Sequence, residues 1–392
     1  MGSGLSAGLA RSRMGLVISC GTLAYALGKF LGGGFTDRFG GRAAFLAGMA
    51  GSVACTALFA AGGGVPVFGL AWVGNRLIQS VGWLGLVRVT SRWFSFGSYG
   101  TVMGILSLSY LFGDAAARYF MKGLLAAGMG WRGVFFVAAG VLGALLLVCL
   151  AFLRDSPGAV GLPEPPAAPD NLFAGDDGPA ASSRELAWTL LRSPGFRTVC
   201  LLSVGMTLLR ETFNTWTPTY FVEALGLSKE AAAGRSALFP LLGGVSVVLT
   251  GVLGDRIGRV GRAGVIAGGL TLAGLALATL AATDFGGSVA WPVGVVSAVA
   301  FLLIGPYSFL AGAIALDFGG KKGCATASGL IDTAGYLGGV FAGYGVAKLS
   351  LTLGWRGAFG VLAVVAWLTA ATAVVFLLGQ RRVAGAARGA GS

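Results

Sequence analysis

The stretch Gly33-Gly34-Phe35-Thr36-Asp37-Arg38-Phe39-Gly40 has a counterpart in Gly251-Val252-Leu253-Gly254-Asp255-Arg256-Ile257-Gly258. Both follow the pattern Gly-x-x-x-Asp-Arg-x-Gly, 218 residues apart. A second pair, Gly130-Trp131-Arg132-Gly133-Val134-Phe135 and Gly354-Trp355-Arg356-Gly357-Ala358-Phe359, is offset by 224. Two matches at nearly one offset identify an internal duplication, each copy one multi-helix unit. Working outward from the motifs, apolar runs of about twenty residues recur along the chain, the length that a ~30 Å hydrocarbon core demands of a helix.

Composition agrees. Charged residues make up 11% of the 392, less than half of the ~25% usual in a soluble chain, which excludes a soluble enzyme. With no histidine, a His-based triad, His metal site or His proton relay is excluded too. The five cysteines lie in or beside apolar segments and read as buried hydrophobes, so neither metal nor cofactor is expected. No nucleophile–base pair or carboxylate cluster suggests a membrane enzyme. The formal charge of +13 sits mostly in short gaps between apolar runs, a topology signal rather than a nucleic-acid face.

The expected fold is an all-α membrane protein of two pseudo-repeats. Eleven spans are expected, over 14–34, 43–61, 65–90, 98–121, 133–153, 196–222, 235–254, 263–283, 289–316, 324–348 and 357–379. These divide into an N-terminal bundle, 1–153, and a C-terminal bundle, 196–379, with a linker at 154–195 and a basic tail at 380–392. The linker is rich in proline and acid and is expected to be a mobile tether, with a short amphipathic helix over Ser183–Arg192 on the membrane surface. Subtracting the offset from 196–222 places its partner ahead of the first residue. The first half therefore has five helices against six, and a missing first helix is expected. Alternate gaps differ about two to one in Lys and Arg. The richer set faces the cytoplasm, which puts linker and C-terminus inside.

Charges inside spans need a partner or an aqueous cavity. Arg210 lies mid-span, with Asn214 on its face. Glu211, about 100° around the helix, is not expected to pair with it, so Arg210 either faces a cavity as a fork for phosphate or carboxylate or pairs with an acid such as Asp332. Lys29 shares a face with Tyr25, making either an anion contact or a snorkelling cation. Asp114 and Arg118 form an i,i+4 pair that either neutralises itself or, if separated, couples transport to protons. Arg76 with Gln79 forms a further stripe, and Asp332 shares a face with Tyr336. The duplicated motifs, with Asp37, Arg38, Arg42, Asp255, Arg256 and Arg259, are expected to latch the halves together by acid–base contacts at the cytoplasmic end.

These motifs resemble those of the major facilitator superfamily. Longer stretches resemble its organophosphate:inorganic phosphate antiporters: Ala24-Tyr25-Ala26-Leu27-Gly28-Lys29-Phe30, Gln79-Ser80-Val81-Gly82-Trp83, Leu209-Arg210 with Trp216-Thr217-Pro218-Thr219-Tyr220, and Ala315-Leu316-Asp317-Phe318-Gly319-Gly320-Lys321-Lys322 through Gly335-Tyr336-Leu337-Gly338-Gly339. The resemblance implies a six-plus-six fold and alternating-access exchange of a sugar phosphate or glycerol phosphate for inorganic phosphate. Arg210 matches the arginine that grips phosphate, and Lys29, Tyr25 and Tyr336 match other residues of the site. The family's first-helix arginine has no match, and its fifth-helix histidine position is held by Ser109. The implied setting is a monomer in the inner (plasma) membrane, with a small anionic substrate, membrane lipid around it and no nucleic-acid partner. A non-transporting sensor and a carrier of organic carboxylates are the rival readings.

Overall fold

The computed structural model describes residues 2–166, 171–173, 182–283 and 287–389. Its elements are helical: α1 Gly2–Phe39, α2 Gly41–Ala61, α3 Val65–Gln79, α4 Val81–Trp93, α5 Tyr99–Ala126, α6 Trp131–Phe152, α7 Ser183–Arg192, α8 Pro194–Leu225, α9 Lys229–Ser236, α10 Leu238–Ala282, α11 Ala290–Ser308 and α12 Ala315–Gly389. Every expected span falls largely on helix, although 65–90 is divided at Ser80 into α3 and α4. Helical stretches long and apolar enough to cross a membrane include Gly41–Ala61, Trp131–Phe152, Ala231–Ala282, Ala290–Gly343 and Gly345–Gly385. Of these, Ala231–Ala282 and Ala290–Gly343, with 52 and 54 residues, have length for two crossings. Helix α8 carries the charged pair Arg210 and Glu211 near its middle.

The final glycine of each motif copy makes the turn that ends its helix. Gly40 has φ 93° and Gly258 φ 65°, left-handed values that a side chain disfavours. Gly258 interrupts α10, and Gly320, Gly323 and Gly354 interrupt α12.

Two seams join the halves, one between α1 and α12, the other between α5 and α10. Glycines let the backbones touch. A Cβ on Gly33 would lie 2.8 Å from the Thr326 Cα, and one on Gly251 would lie 2.7 Å from the Gly100 carbonyl oxygen. At Gly329 it would lie 2.5 Å from the Lys29 carbonyl oxygen. Backbone cannot retreat as a flexible side chain can, so Gly329→Val is expected to lower the Tm of the detergent-solubilised protein by about 2–4 °C or more. The control is Gly264→Val, where an added Cβ meets nothing within 4 Å.

The described part of 154–195 is fastened to both halves at several points. Helix α7 forms where expected because Ser182 accepts the Glu185 N–H at its start. Its Leu186 and Leu190, one turn apart, are buried against the bundle. Ahead of it, the Leu172 N–H donates to the Phe318 carbonyl at 3.0 Å. The Glu164 carboxylate lies 3.4 Å from Arg92 of the first half and 3.7 Å from Lys321 of the second. A few apolar and acidic anchors thus fasten this proline-rich segment at several points.

Candidate functional site

At the motif end, the aspartate of each motif copy reaches across a seam and caps a helix of the other half. Asp37 accepts the Ala325 N–H at 3.2 Å and the Thr326 N–H at 2.6 Å. These belong to the first turn of the α12 segment that restarts after Gly323. Asp255 accepts the N–H groups of Gly100 and Thr101 at 2.8 and 2.7 Å, with the Thr101 hydroxyl at 2.6 Å, in the first turn of α5. First-turn N–H groups have no partner within their own helix, and the positive end of the helix dipole favours a carboxylate.

The expected acid–base latch is therefore corrected: the acids cross the seams to backbone N–H groups, and of the motif arginines Arg259 crosses to the Phe96 ring, at 5.8 Å, rather than to an acid. Arg38 and Arg256 are exposed. Arg42 stays in its own half, donating to the carbonyls of Leu153 and Leu150 at 2.7 and 2.8 Å. Arg259 and Arg262 together hold the buried Asp317 at 3.3 and 2.7 Å. Behind Asp37 the buried Arg88 lies 3.5 Å away. Its sequence signal was a basic residue within an otherwise small and apolar run.

Deeper in the α1–α12 seam, Lys29 Nζ donates to Asp332 at 2.7 Å, the side chains being 3% and 9% exposed. Lys29 therefore does not snorkel. It pairs across the two halves with the acid that the sequence had offered to Arg210. One turn further from the motif end, Tyr25 and Tyr336 meet edge-on with ring centroids 5.0 Å apart. Arg76 lies over the Tyr25 ring at 4.6 Å, a cation–π contact.

Arg210 is the main correction. Its Nε and Nη2 both donate to Glu211, at 3.1 and 2.6 Å. A Cα–Cβ separation of 100° does not prevent this, because a six-bond guanidinium arm can fold around the helix to its neighbour. The guanidinium also lies 4.4 Å from the centre of the Tyr307 ring, on which it stacks. Its side chain is 15% exposed and that of Glu211 30%. In this conformation Arg210 is thus enclosed by its partners rather than turned to a wide aqueous vestibule. Nη1 makes no hydrogen bond among the described residues, which leaves part of the fork available.

Tyr307 was not anticipated, since no helical stripe leads to it. It follows Gly305-Pro306, and the chain enters a π-turn soon after, at Leu310–Ile314. Asn214 and Gln79 are exposed and make no hydrogen bond among the described residues. The side chains of Asp114 and Arg118 lie outside the described residues. The structure therefore gathers Lys29, Arg76 and Arg210, the acids Asp332 and Glu211, and Tyr25, Tyr307 and Tyr336 between the halves. Among the described residues, three cations against two carboxylates leave one net positive charge, an environment that favours an anion.

The sequence matches the family model described as Major Facilitator Superfamily over residues 4–343. It is 27% identical over 366 residues to the glycerol-3-phosphate transporter of Bacillus subtilis, covering 91% of this chain and 82% of that one. Against a probable hexose phosphate transport protein of Chlamydia trachomatis the identity is 27% over 373 residues, covering 91% and 80%. The fold superposes on the fucose:proton symporter of E. coli with TM-score 0.72 at 14% identity, covering 94% of this chain and 92% of the other. With its duplicated motif, paired seams and helical halves, the chain belongs to the Major Facilitator Superfamily of membrane transporters, as a relative of the glycerol-3-phosphate and hexose-phosphate carriers.

Proposed function

We propose that this protein is a secondary active transporter that exchanges an organic phosphate, a glycerol phosphate or sugar phosphate, for inorganic phosphate by alternating access. The observation that carries the reading is a guanidinium with free donor capacity in a cluster of net positive charge between the halves. Arginine is suited to phosphate because its planar fork donates to two oxygens at once. Lys29, Tyr25, Arg76 and Tyr336 complete the site on the first-half and α12 sides. Substrate-binding energy acts on a two-state equilibrium only to the extent that the anion binds one state more tightly.

The moving bodies are the bundles 1–153 and 196–379. Among the described residues, the hydrogen bonds and ion pairs between the halves run from the motif end inward to Lys29–Asp332 and the Thr333–Ala26 contact. This state is therefore closed at the motif end, where Asp37 and Asp255 act as gate residues. With eleven crossings and the basic gaps inside, that end is cytoplasmic, the C-terminus lies on the same side, and the protein works in the inner membrane.

Ligand stabilisation tests the chemistry directly. A bound ligand raises stability by about 2.7 kcal/mol at a hundred times its Kd, so glycerol 3-phosphate, hexose 6-phosphate and inorganic phosphate are expected to raise Tm. Glycerol and glucose are expected to leave it unchanged, and succinate to shift it less than phosphate esters do. A larger shift with succinate favours the carboxylate carrier.

A further inference from the structure

We infer that Glu211 is a proton-binding site linked to the anion site, so that an anion occupies Arg210 together with a proton on the Glu211 carboxylate. The inference rests on the reading that Arg210 receives the substrate anion. It starts from Glu211 being the site's own competitor for substrate: one of its oxygens accepts both Nε–H and Nη2–H of Arg210, at 3.1 and 2.6 Å. That face of the fork is the one an anion needs for a two-point grip.

An anion that displaces Glu211 leaves a carboxylate beside it in a partly buried place. Among the described residues, the groups facing Glu211 offer no other cation. From α12, Gly339 approaches it, where an added Cβ would lie 3.4 Å from the Glu211 Cγ. From α11 and α5 come Tyr307 and Tyr110, which lie with Tyr336 within electrostatic reach of Arg210. Tyrosine is neutral at ordinary pH. Lys29 is held by Asp332 at 2.7 Å across the α1–α12 seam, and Arg76 lies over the Tyr25 ring at 4.6 Å. A displaced Glu211 thus faces hydroxyls and an incoming negative charge, and breaking a pair while leaving one charge unpartnered is costly. A proton resolves the conflict. It arrives from solvent on the open side and binds a Glu211 oxygen, and the two released N–H groups of Arg210 turn to the anion. On release the steps reverse: the proton leaves, and Glu211 recovers Arg210. Both exchanged anions then travel with a proton each.

The sign is fixed by linkage. If binding takes up a proton, affinity rises as pH falls and weakens as pH rises. Glu211→Gln keeps the shape of the neutral acid, so it is expected to bind inorganic phosphate about tenfold or more tightly than wild type at pH 8, about 1.4 kcal/mol. The gap between the two should narrow as pH falls. Titration calorimetry of the full chain in detergent, with inorganic phosphate in two buffers of different ionisation enthalpy, counts the protons bound. Phosphate's own titration is common to both proteins and cancels in the difference. Wild type is expected to take up about one proton per phosphate more than Glu211→Gln near pH 7, and Glu211→Asp to retain the uptake. Equal proton counts in wild type and Glu211→Gln overturn the inference, because the added charge of the variant could tighten binding without any proton. If instead Arg210→Ala binds phosphate like wild type, or wild type binds none, the anion-site reading falls and the inference falls with it.

Discussion

Arg210→Ala is expected to reduce affinity for a phosphate ester about a hundredfold or more, and transport with it. Two terms act together. The variant loses a charge-assisted fork, and removing one partner of a buried charge pair costs about 2–5 kcal/mol. It also leaves Glu211, until then neutralised at 2.6 Å, as an uncompensated negative charge where an anion must sit. Arg210→Lys keeps the charge but loses the second donor and the stacking on Tyr307, so a loss of about tenfold is expected, one charged hydrogen bond being worth about 1.5–3 kcal/mol. Direct binding of labelled glycerol 3-phosphate to protein that elutes as a single species checks both. Combining Arg210→Ala with Glu211→Ala is expected to recover part of the affinity by removing the repulsive carboxylate.

The second large effect is conformational. Asp37→Asn is expected to open the motif end. The carboxylate holds two N–H groups at the start of a helix in the other half and compensates Arg88, whose side chain is 8% exposed. The guanidinium has no ready alternative partner, its Nε being buried without a hydrogen bond among the described residues. Stranding a buried charge costs about 3–5 kcal/mol, enough to move a two-state equilibrium by a factor of about 10²–10³. Spin labels at the exposed positions Arg38 and Arg256, one in each half, report the outcome as a longer and broader distance distribution. Asp255→Asn is expected to act in the same direction but more weakly. Its carboxylate also holds two N–H groups and a hydroxyl, but among the described residues it shields no buried arginine. An unchanged distance in Asp37→Asn counts against a gate at this end.

The sequence disclosed those features that repeat or follow a helical period. The two motif copies marked the glycine turns at Gly40 and Gly258 and the acids that cross the seams, because one physical requirement is met twice. Ser182 and the leucines at 186 and 190 placed α7 because capping and amphipathic spacing are local. Partner choice was harder to read. Lys29 and Asp332 are 303 residues apart, and nothing in either segment specifies the register of α1 against α12. Arg210 and Glu211 are adjacent, yet helix geometry alone suggested divergence, since the reach of a long flexible arm is not a property of backbone period. Tyr307 depends on how the chain turns after Pro306. The seams themselves follow from glycines whose partners in the other half only the folded chain reveals.

The central claim is that a phosphorylated anion crosses the membrane by way of Arg210, and counterflow tests it most directly. Proteoliposomes containing the purified protein and loaded with inorganic phosphate are given labelled glycerol 3-phosphate or hexose 6-phosphate outside. The account expects uptake that needs internal phosphate, falls when unlabelled ester is added outside, and is lost in Arg210→Ala. Binding without phosphate-dependent uptake, or uptake that persists unchanged in Arg210→Ala, would contradict it.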